Sequence, residues 1–248
     1  MSEQLQEFFS RALASHQSGR LGEAEAWYRR VLDKAPQHTG ALTLLGTLQA
    51  QLRNFEEAAR LLDASLQVSP LQVNALYNRG IVLEALDRFE EAVASYDRAI
   101  TLGGGSPEIF NNRGNALARL KRLEEAVASY DRALALKADY PDALCNRGNA
   151  LAELRCFGAA LESYERAIAI APNRAEAYFC RANMLAKLKH YDRAVESCDR
   201  AIALDPGNPL VHNNRGNALA HLARRNDALA SYDRALALKP DYPEALFN

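Results

Sequence analysis

Nowhere in the 248 residues does an apolar run approach the length needed to cross a bilayer, so a membrane partner is not expected. The opening MSEQLQEFF has no basic segment followed by an apolar one, and a secretory leader is not expected there. Neither sign of charge is in excess: 30 Lys and Arg face 31 Asp and Glu, a formal net charge of -1. That balance removes the electrostatic reason to expect nucleic acid as a partner. Cysteine is scarce and has no CxxC spacing: Cys145, Cys156, Cys180 and Cys198. Reduced, partly buried thiols and a cytoplasmic location are the expectation. There is no phosphate-cradling GxxxxGK(S/T) and no HExxH. The histidines His16, His38, His190, His212 and His221 are scattered, none with a second ligand one helical turn away. The sequence therefore offers no catalytic constellation, no metal ligands and no cofactor site, and an enzyme is not expected.

What is present is a repeat. Gly46, Gly80, Gly114, Gly148 and Gly216, with Ala12 and Ala182 in place of Gly, follow one another at a constant spacing of 34 residues. A fixed period of that size marks a stacked array. Seven repeats start at Leu5, Thr39, Val73, Pro107, Pro141, Ala175 and Pro209, and a partial eighth covers 243–248. Counting from each start, position 20 is Ala in all seven, from Ala24 to Ala228. Position 24 is Tyr28, Leu62, Tyr96, Tyr130, Tyr164 and Tyr232, with Cys198 departing. Position 27 is Ala from Ala99 to Ala235, and position 32 is Pro except at Gly104 and Ala138.

These signature positions resemble the tetratricopeptide repeat family. The resemblance implies an all-α fold, a right-handed superhelical solenoid of helix-turn-helix repeats, forming one domain over 1–248. Pro107, Pro141 and Pro209 suit a first helical turn, and Ser106 and Asn208 are placed to cap. The paired acids Glu56-Glu57, Glu90-Glu91 and Glu124-Glu125 open second helices and complement their dipoles. Helical spacing puts Ile109, Phe110, Gly114, Ala116, Leu117 and Leu120 on one core arc of the fourth repeat. Leu123, Ala126, Val127, Tyr130, Ala133, Leu134 and Leu136 form the matching arc of its second helix.

The opposite arc of the first helix, positions 2, 5, 6, 9, 12 and 13, lines the concave groove in the family. Here position 6 carries Asn78, Asn112, Asn146 and Asn214, with Asn248 beginning the same series, and position 9 carries Asn115, Asn149, Asn183 and Asn217. Asparagine is a mediocre helix former, so propensity does not explain the register. Its amide both donates and accepts, which suits a peptide backbone of any sequence. Helices pack about 8–10 Å apart and an extended chain advances about 3.3 Å per residue, so a bound strand meets a rung about every third residue. The ladder resembles the asparagine-lined repeat arm of protein O-linked N-acetylglucosamine transferases. The alternative is a hydrated polar face, or asparagines bonding between helices.

Position 7, usually Leu in the family, is Arg79, Arg113, Arg147, Arg181 and Arg215, within the core arc. The same five repeats carry Asp97, Asp131, Glu165, Asp199 and Asp233 at position 25, so half-buried ion pairs within each repeat are expected. The triplet Gly103-Gly104-Gly105 is either a soft joint or an ordered turn. The leading functional expectation is a scaffold that binds a protein or peptide partner in extended conformation. Two rivals stand beside it: the substrate-recognition arm of a longer glycosyltransferase continuing past Asn248, and a scaffold that self-associates end to end through an uncapped last repeat.

Overall fold

Alanine, leucine, glutamate and arginine dominate the chain, and all four favour helix. The computed structural model describes residues 3–241; the partial eighth repeat, with Asn248, lies outside them. Among the described residues there are fourteen helices and no strand. The chain divides into two compact bodies, residues 1–122 and 123–248. The first holds α1 (Glu3–Gln17), α2 (Leu21–Lys34), α3 (Thr39–Gln51), α4 (Phe55–Val68), α5 (Val73–Ala85), α6 (Phe89–Thr101) and α7 (Pro107–Arg119). The second holds α8 (Leu123–Leu136), α9 (Pro141–Glu153), α10 (Phe157–Ile170), α11 (Ala175–Lys187), α12 (Tyr191–Leu204), α13 (Pro209–His221) and α14 (Arg225–Leu238). Odd-numbered helices open the repeats and even-numbered helices close them.

The break between the two helices of a repeat has one cause throughout. Position 15 adopts a left-handed conformation at Gly19, Arg53, Asp87, Lys121, Arg155, Lys189 and Ala223, with φ between 56° and 74°. The next residue's N–H then reaches back to a carbonyl five residues earlier, as from Arg88 to Leu83 at 2.9 Å and from His190 to Leu185 at 2.8 Å. This closes the orphan carbonyls of the first helix. At helix starts, the Ser106 hydroxyl accepts from the Ile109 N–H and the Asn208 side chain from the Leu210 N–H. The His38 ring caps α3 in the same way, a role its scattered position in the sequence does not suggest. The glycine triplet forms an ordered turn: Gly103, at φ 86°, ends α6, and the Gly104 N–H bonds the Ala99 carbonyl at 2.9 Å. A Cβ on Gly104 would lie 2.3 Å from the Val73 side chain, so the close approach requires glycine.

Packing within a repeat centres on positions 8 and 24. A Cβ on Gly80 would sit 2.3 Å from the ring of Tyr96, on Gly148 2.7 Å from Tyr164, and on Gly216 2.4 Å from Tyr232. Each ring therefore occupies the space a side chain at position 8 would need, and Tyr96 and Tyr164 are almost completely buried. In the sixth repeat both partners change together, to Ala182 and Cys198, and both are buried in one cluster with Val211. The core arcs hold, with one correction: Leu136 is 56% exposed and does not belong to the core, because it falls at the last residue of α8. At the last repeat Leu229 is 59% exposed and Leu236 half-buried, whereas their fourth-repeat counterparts Val127 and Leu134 are half-buried and buried.

The arginines of position 7 pair with acids, but one repeat earlier than the expected partners. Arg79 Nε donates to Asp63 at 2.6 Å and Arg113 Nε to Asp97 at 2.5 Å in the first body. In the second body Arg147 donates to Asp131 and Arg215 to Asp199, both at 2.6 Å, and Arg181 to Glu165 at 3.4 Å. Arg181 holds its acid more loosely because Arg193 takes the same Glu165 oxygen at 2.8 Å. Asp63, which has no arginine at position 7 of its own repeat, is thus a partner after all. The reason is geometric: position 25 on a second helix faces the first helix of the following repeat. Within its own repeat the arginine reaches the serine of position 23. Arg79 Nη1 donates to Ser95 Oγ at 2.7 Å, Arg147 to Ser163 at 2.7 Å and Arg215 to Ser231 at 2.7 Å. The recurring serines are therefore acceptors for guanidinium groups as well as packing residues.

Arg147 is 21% exposed and Asp131 51%, so the ion pair is partly screened and Arg147→Ala is expected to cost about 1–2 kcal/mol. Urea midpoints of the single and double variants should show coupling of Arg147 to Asp131 and none to Glu165; coupling to Glu165 instead would restore the same-repeat pairing. Ala223 holds its left-handed φ at about 1–2 kcal/mol, against about 0.5–1 kcal/mol for glycine's extra chain entropy. Ala223→Gly should accordingly raise stability by about 0.5–1 kcal/mol, measured by thermal unfolding, and a lowered midpoint would contradict it.

Candidate functional site

Within each body the first helices of successive repeats present positions 6 and 9 side by side. Asn78, on α5, and Asn112 and Asn115, on α7, lie half-buried in the first body. In the second body Asn146, Asn183, Asn214 and Asn217 are half-buried and Asn149 is exposed. Position 5 shares this face only in part: Thr43, Asn111, Cys145 and Asn213 are buried, since the arc turns toward the next helix there, while Tyr77 and Phe179 are half-buried.

Six of these asparagines have hydrogen bonds within their own body, Asn112 and Asn214 through both amide groups and the others through one. Tyr164 Oη donates to Asn149 Oδ1 at 2.7 Å, and Tyr232 Oη to Asn217 Oδ1 at 2.8 Å. Position 24, read from sequence as packing alone, thus delivers a hydroxyl to position 9. Position 6 reaches back to the preceding repeat: Asn214 Nδ2 donates to Asn183 Oδ1 at 2.6 Å and Asn78 Nδ2 to Thr47 Oγ1 at 2.8 Å. Asn112 Nδ2 donates to Tyr77 Oη at 3.3 Å. Bonding between helices and a polar face therefore coexist. Among the described residues, Nδ2 of Asn183 and of Asn217 donates to no other residue. Where position 6 is Cys180, its thiol lies 3.9 Å from Asn149 Oδ1.

The third repeat solves the same problem differently. Ile81 stands at position 9, and Tyr96 Oη donates instead to Glu84 Oε1 at 2.5 Å. Burial pushes the Glu84 carboxyl above its ordinary value, opposed by the Tyr96 hydroxyl and by Arg119. Burial likewise raises the Tyr96 phenol, with the Glu84 charge adding to it.

The sixth repeat differs again. Cys198 has no ring to fill position 24, and a cavity of about 550 Å³ opens between α11, α12 and α13. Asn183, Met184, Lys187, Tyr191, Asn214, Asn217 and His221 are among its walls, with Ala182 and Cys198 beneath. The Tyr191 and His221 rings stack at 4.3 Å, 11° from parallel. Burial pushes the Cys198 thiol up to about 12, so it stays protonated. A larger depression of about 690 Å³ lies between α10, α11 and α12; of its four charged residues Glu165 and Arg181 belong to the ion-pair ladder, and the other two, Glu196 and Arg200, carry opposite signs. Among the described residues no three His, Cys, Asp or Glu side chains gather as a metal site would need. No described helix is long and apolar enough to cross a membrane.

Helix pairs recurring every 34 residues, with amides in register along one face, define the class of helical-repeat proteins. The chain belongs to the tetratricopeptide repeat family, which matches residues 8–39, 43–107 and 145–209, with further repeats of the family at 114–154 and 209–242. Proteins of this family generally mediate protein–protein interactions. No curated protein matches the chain. Among solved structures it is similar to YrrB, described as a TPR protein with an unusual peptide-binding site. The identity is 25%, over 76% of this chain and 97% of that one, with a TM-score of 0.68. A tetratricopeptide repeat protein from Parabacteroides merdae shares the fold at 17% identity, over 99% of this chain and 97% of that one, with a TM-score of 0.71. Pseudomonas aeruginosa pilF does so at 21%, over 84% and 95%, with a TM-score of 0.70.

The raised Glu84 carboxyl has a consequence for pH. Just above the ordinary value of 4.5 the folded protein holds a proton there that the unfolded chain has lost. Its stabilising contribution is complete below that value and is lost as pH rises through the folded one. Glu84→Gln keeps an acceptor for Tyr96 and removes the titration. The variant should be more stable than the parent at neutral pH, with the difference shrinking in acid; urea midpoints at both conditions test this, and a parent that gains on the variant as pH rises would contradict it.

Proposed function

We propose that the face formed by the first helices binds extended polypeptide segments through their main chain, as a non-catalytic interaction scaffold. The observation that carries this is the divided use of the asparagines: one amide group is held by the protein, and at Asn183 and Asn217 the donor Nδ2 is left for a ligand. A held side chain loses little entropy on binding, so its hydrogen bond contributes more. The binding residues of this reading are Asn78, Asn112, Asn115, Asn146, Asn149, Asn183, Asn214 and Asn217. The arginines of position 7 compete poorly as an anion-binding row, because each is already paired with an acid. The peptide-binding site described for YrrB supports the class of ligand. The resemblance of the register to the asparagine-lined arm of protein O-linked N-acetylglucosamine transferases supports main-chain recognition and assigns no catalysis. Four free thiols, two of them buried, support a reducing, cytoplasmic setting.

Removing Asn149 or Asn217 alone would orphan a tyrosine hydroxyl. The informative variant therefore combines Asn149→Ala, Asn183→Ala and Asn217→Ala with Tyr164→Phe and Tyr232→Phe. Each lost hydrogen bond should weaken binding by about 0.5–1.5 kcal/mol, and the losses should multiply where rungs act independently. Titrating an uncharged and an acidic peptide of equal length at two salt concentrations should show similar losses for both and little salt dependence. Equal binding by parent and folded variant, or no binding of either peptide to the parent, would overturn the reading.

A further inference from the structure

The sixth repeat has lost a tyrosine at the place where its neighbours keep one. In the fifth and seventh repeats the ring of Tyr164 or Tyr232 lies against glycine at position 8 and gives its hydroxyl to asparagine at position 9. In the sixth, Asn183 is present at position 9 without such a hydroxyl, and its oxygen accepts from Asn214. At this level a cavity of about 550 Å³ lies between α11, α12 and α13, within the range of side-chain and small-ligand sites, with the almost fully covered Ala182 and Cys198 at its base.

The chemistry of the lining selects among ligands. The floor, Ala182 and Cys198, is buried and apolar, and Met184 is a buried, adaptable wall. Tyr191 and His221, stacked on one another, supply a flat aromatic flank for edge or face contact with a further ring. Asn183 and Asn217 bring donor groups that no described residue uses. No carboxylate lines the cavity, so nothing there selects a cation; Lys187 is the one permanently charged group and is exposed. An apolar floor, an aromatic wall and amides at hydrogen-bonding height match a phenol better than an aliphatic chain, which would leave the amides unanswered.

We propose that this cavity is a specificity pocket that takes a tyrosine side chain of the bound peptide, in place of the tyrosine the sixth repeat lacks. The proposal rests on the peptide-binding reading above and adds side-chain selection at one rung to recognition that is otherwise blind to sequence. The ring packs against Tyr191 and His221 above the buried Ala182 and Cys198, and its hydroxyl meets the amides of Asn183 and Asn217.

The test uses extended peptides differing only in one central residue, Tyr, Phe, Leu or Ala, together with N-acetyl-tyrosinamide as a free probe. By calorimetry, the Tyr peptide should bind the whole chain about tenfold to a hundredfold tighter than the Ala peptide. Loss of the hydroxyl should make the Phe peptide about twofold to tenfold weaker than the Tyr peptide. N-acetyl-tyrosinamide should shift the side-chain amide resonances of Asn183 and Asn217. Refilling the space with the pair found in neighbouring repeats, Ala182→Gly with Cys198→Tyr, should bring the Tyr peptide down to the level of the Ala peptide and leave Ala-peptide binding unchanged. Ala186→Leu, on the half-buried wall, should do the same without touching the floor, which covers a failure of the first variant to fold. Equal affinity of Tyr and Ala peptides for the parent, or Leu binding as well as Tyr, overturns the pocket while the main-chain reading stands. Shifts with N-acetyl-tyrosinamide but no peptide binding would support the pocket and overturn the main-chain reading.

Discussion

The close seating of a tyrosine ring on a glycine is the contact on which the asparagine face depends. With a Cβ at Gly80, Gly148 or Gly216 the ring of position 24 would have to leave, because the separation would fall to 2.3–2.7 Å. Glycine in mid-helix costs about 0.5–1 kcal/mol relative to alanine, and burial of a large ring against it more than offsets that. The seating also fixes direction. A ring held there points its hydroxyl at position 9, where Asn149 and Asn217 accept it. Core packing thereby sets the orientation of the amides on the surface. The third repeat shows the rule by exception: with Ile81 at position 9, the hydroxyl finds Glu84 one turn along. In the sixth repeat the ring is gone, and a cavity opens at the same level of the stack.

Charge is arranged on a different part of the repeat. An arginine in the core arc would be costly alone, but each is met by an acid of the preceding repeat, and most of them by a serine of its own. The guanidinium groups so link a second helix to the next first helix, the nearest-neighbour interface from which a repeat protein draws its stability. They are also consumed there. The face of positions 6 and 9 is left mostly to neutral amides, which favours contacts that vary little with salt over capture of acidic partners.

Much of this was legible in the chain. The recurring Gly46, Gly80, Gly114, Gly148 and Gly216 gave the helix-pair repeat and its boundaries, and Ser106 and Asn208 cap where their positions suggest. The asparagine register was visible, but not its internal bonding, because Tyr164 and Tyr232 looked like core residues and only the fold turns their hydroxyls toward position 9. The arginine partners were misplaced by one repeat, since equal spacing makes Asp131 and Glu165 indistinguishable as partners of Arg147 in a strictly periodic sequence. Leu136 joined the core arc by angle alone, and the end of its helix carries it out of cover.

The sequence by itself determined the repeat, the helix type, most of the residues at each face and the family. These are set by local periodicity: apolar, small and polar residues at fixed positions within 34 residues choose helix and sort its sides wherever the chain is placed. Only the tertiary structure decided which hydroxyl holds which amide, which acid neutralises which arginine, and that a cavity stands above the buried Cys198. Those outcomes depend on the offset between neighbouring helices and on whether a lost ring's volume is refilled. Periodicity carries neither quantity, because both are properties of how packed helices meet.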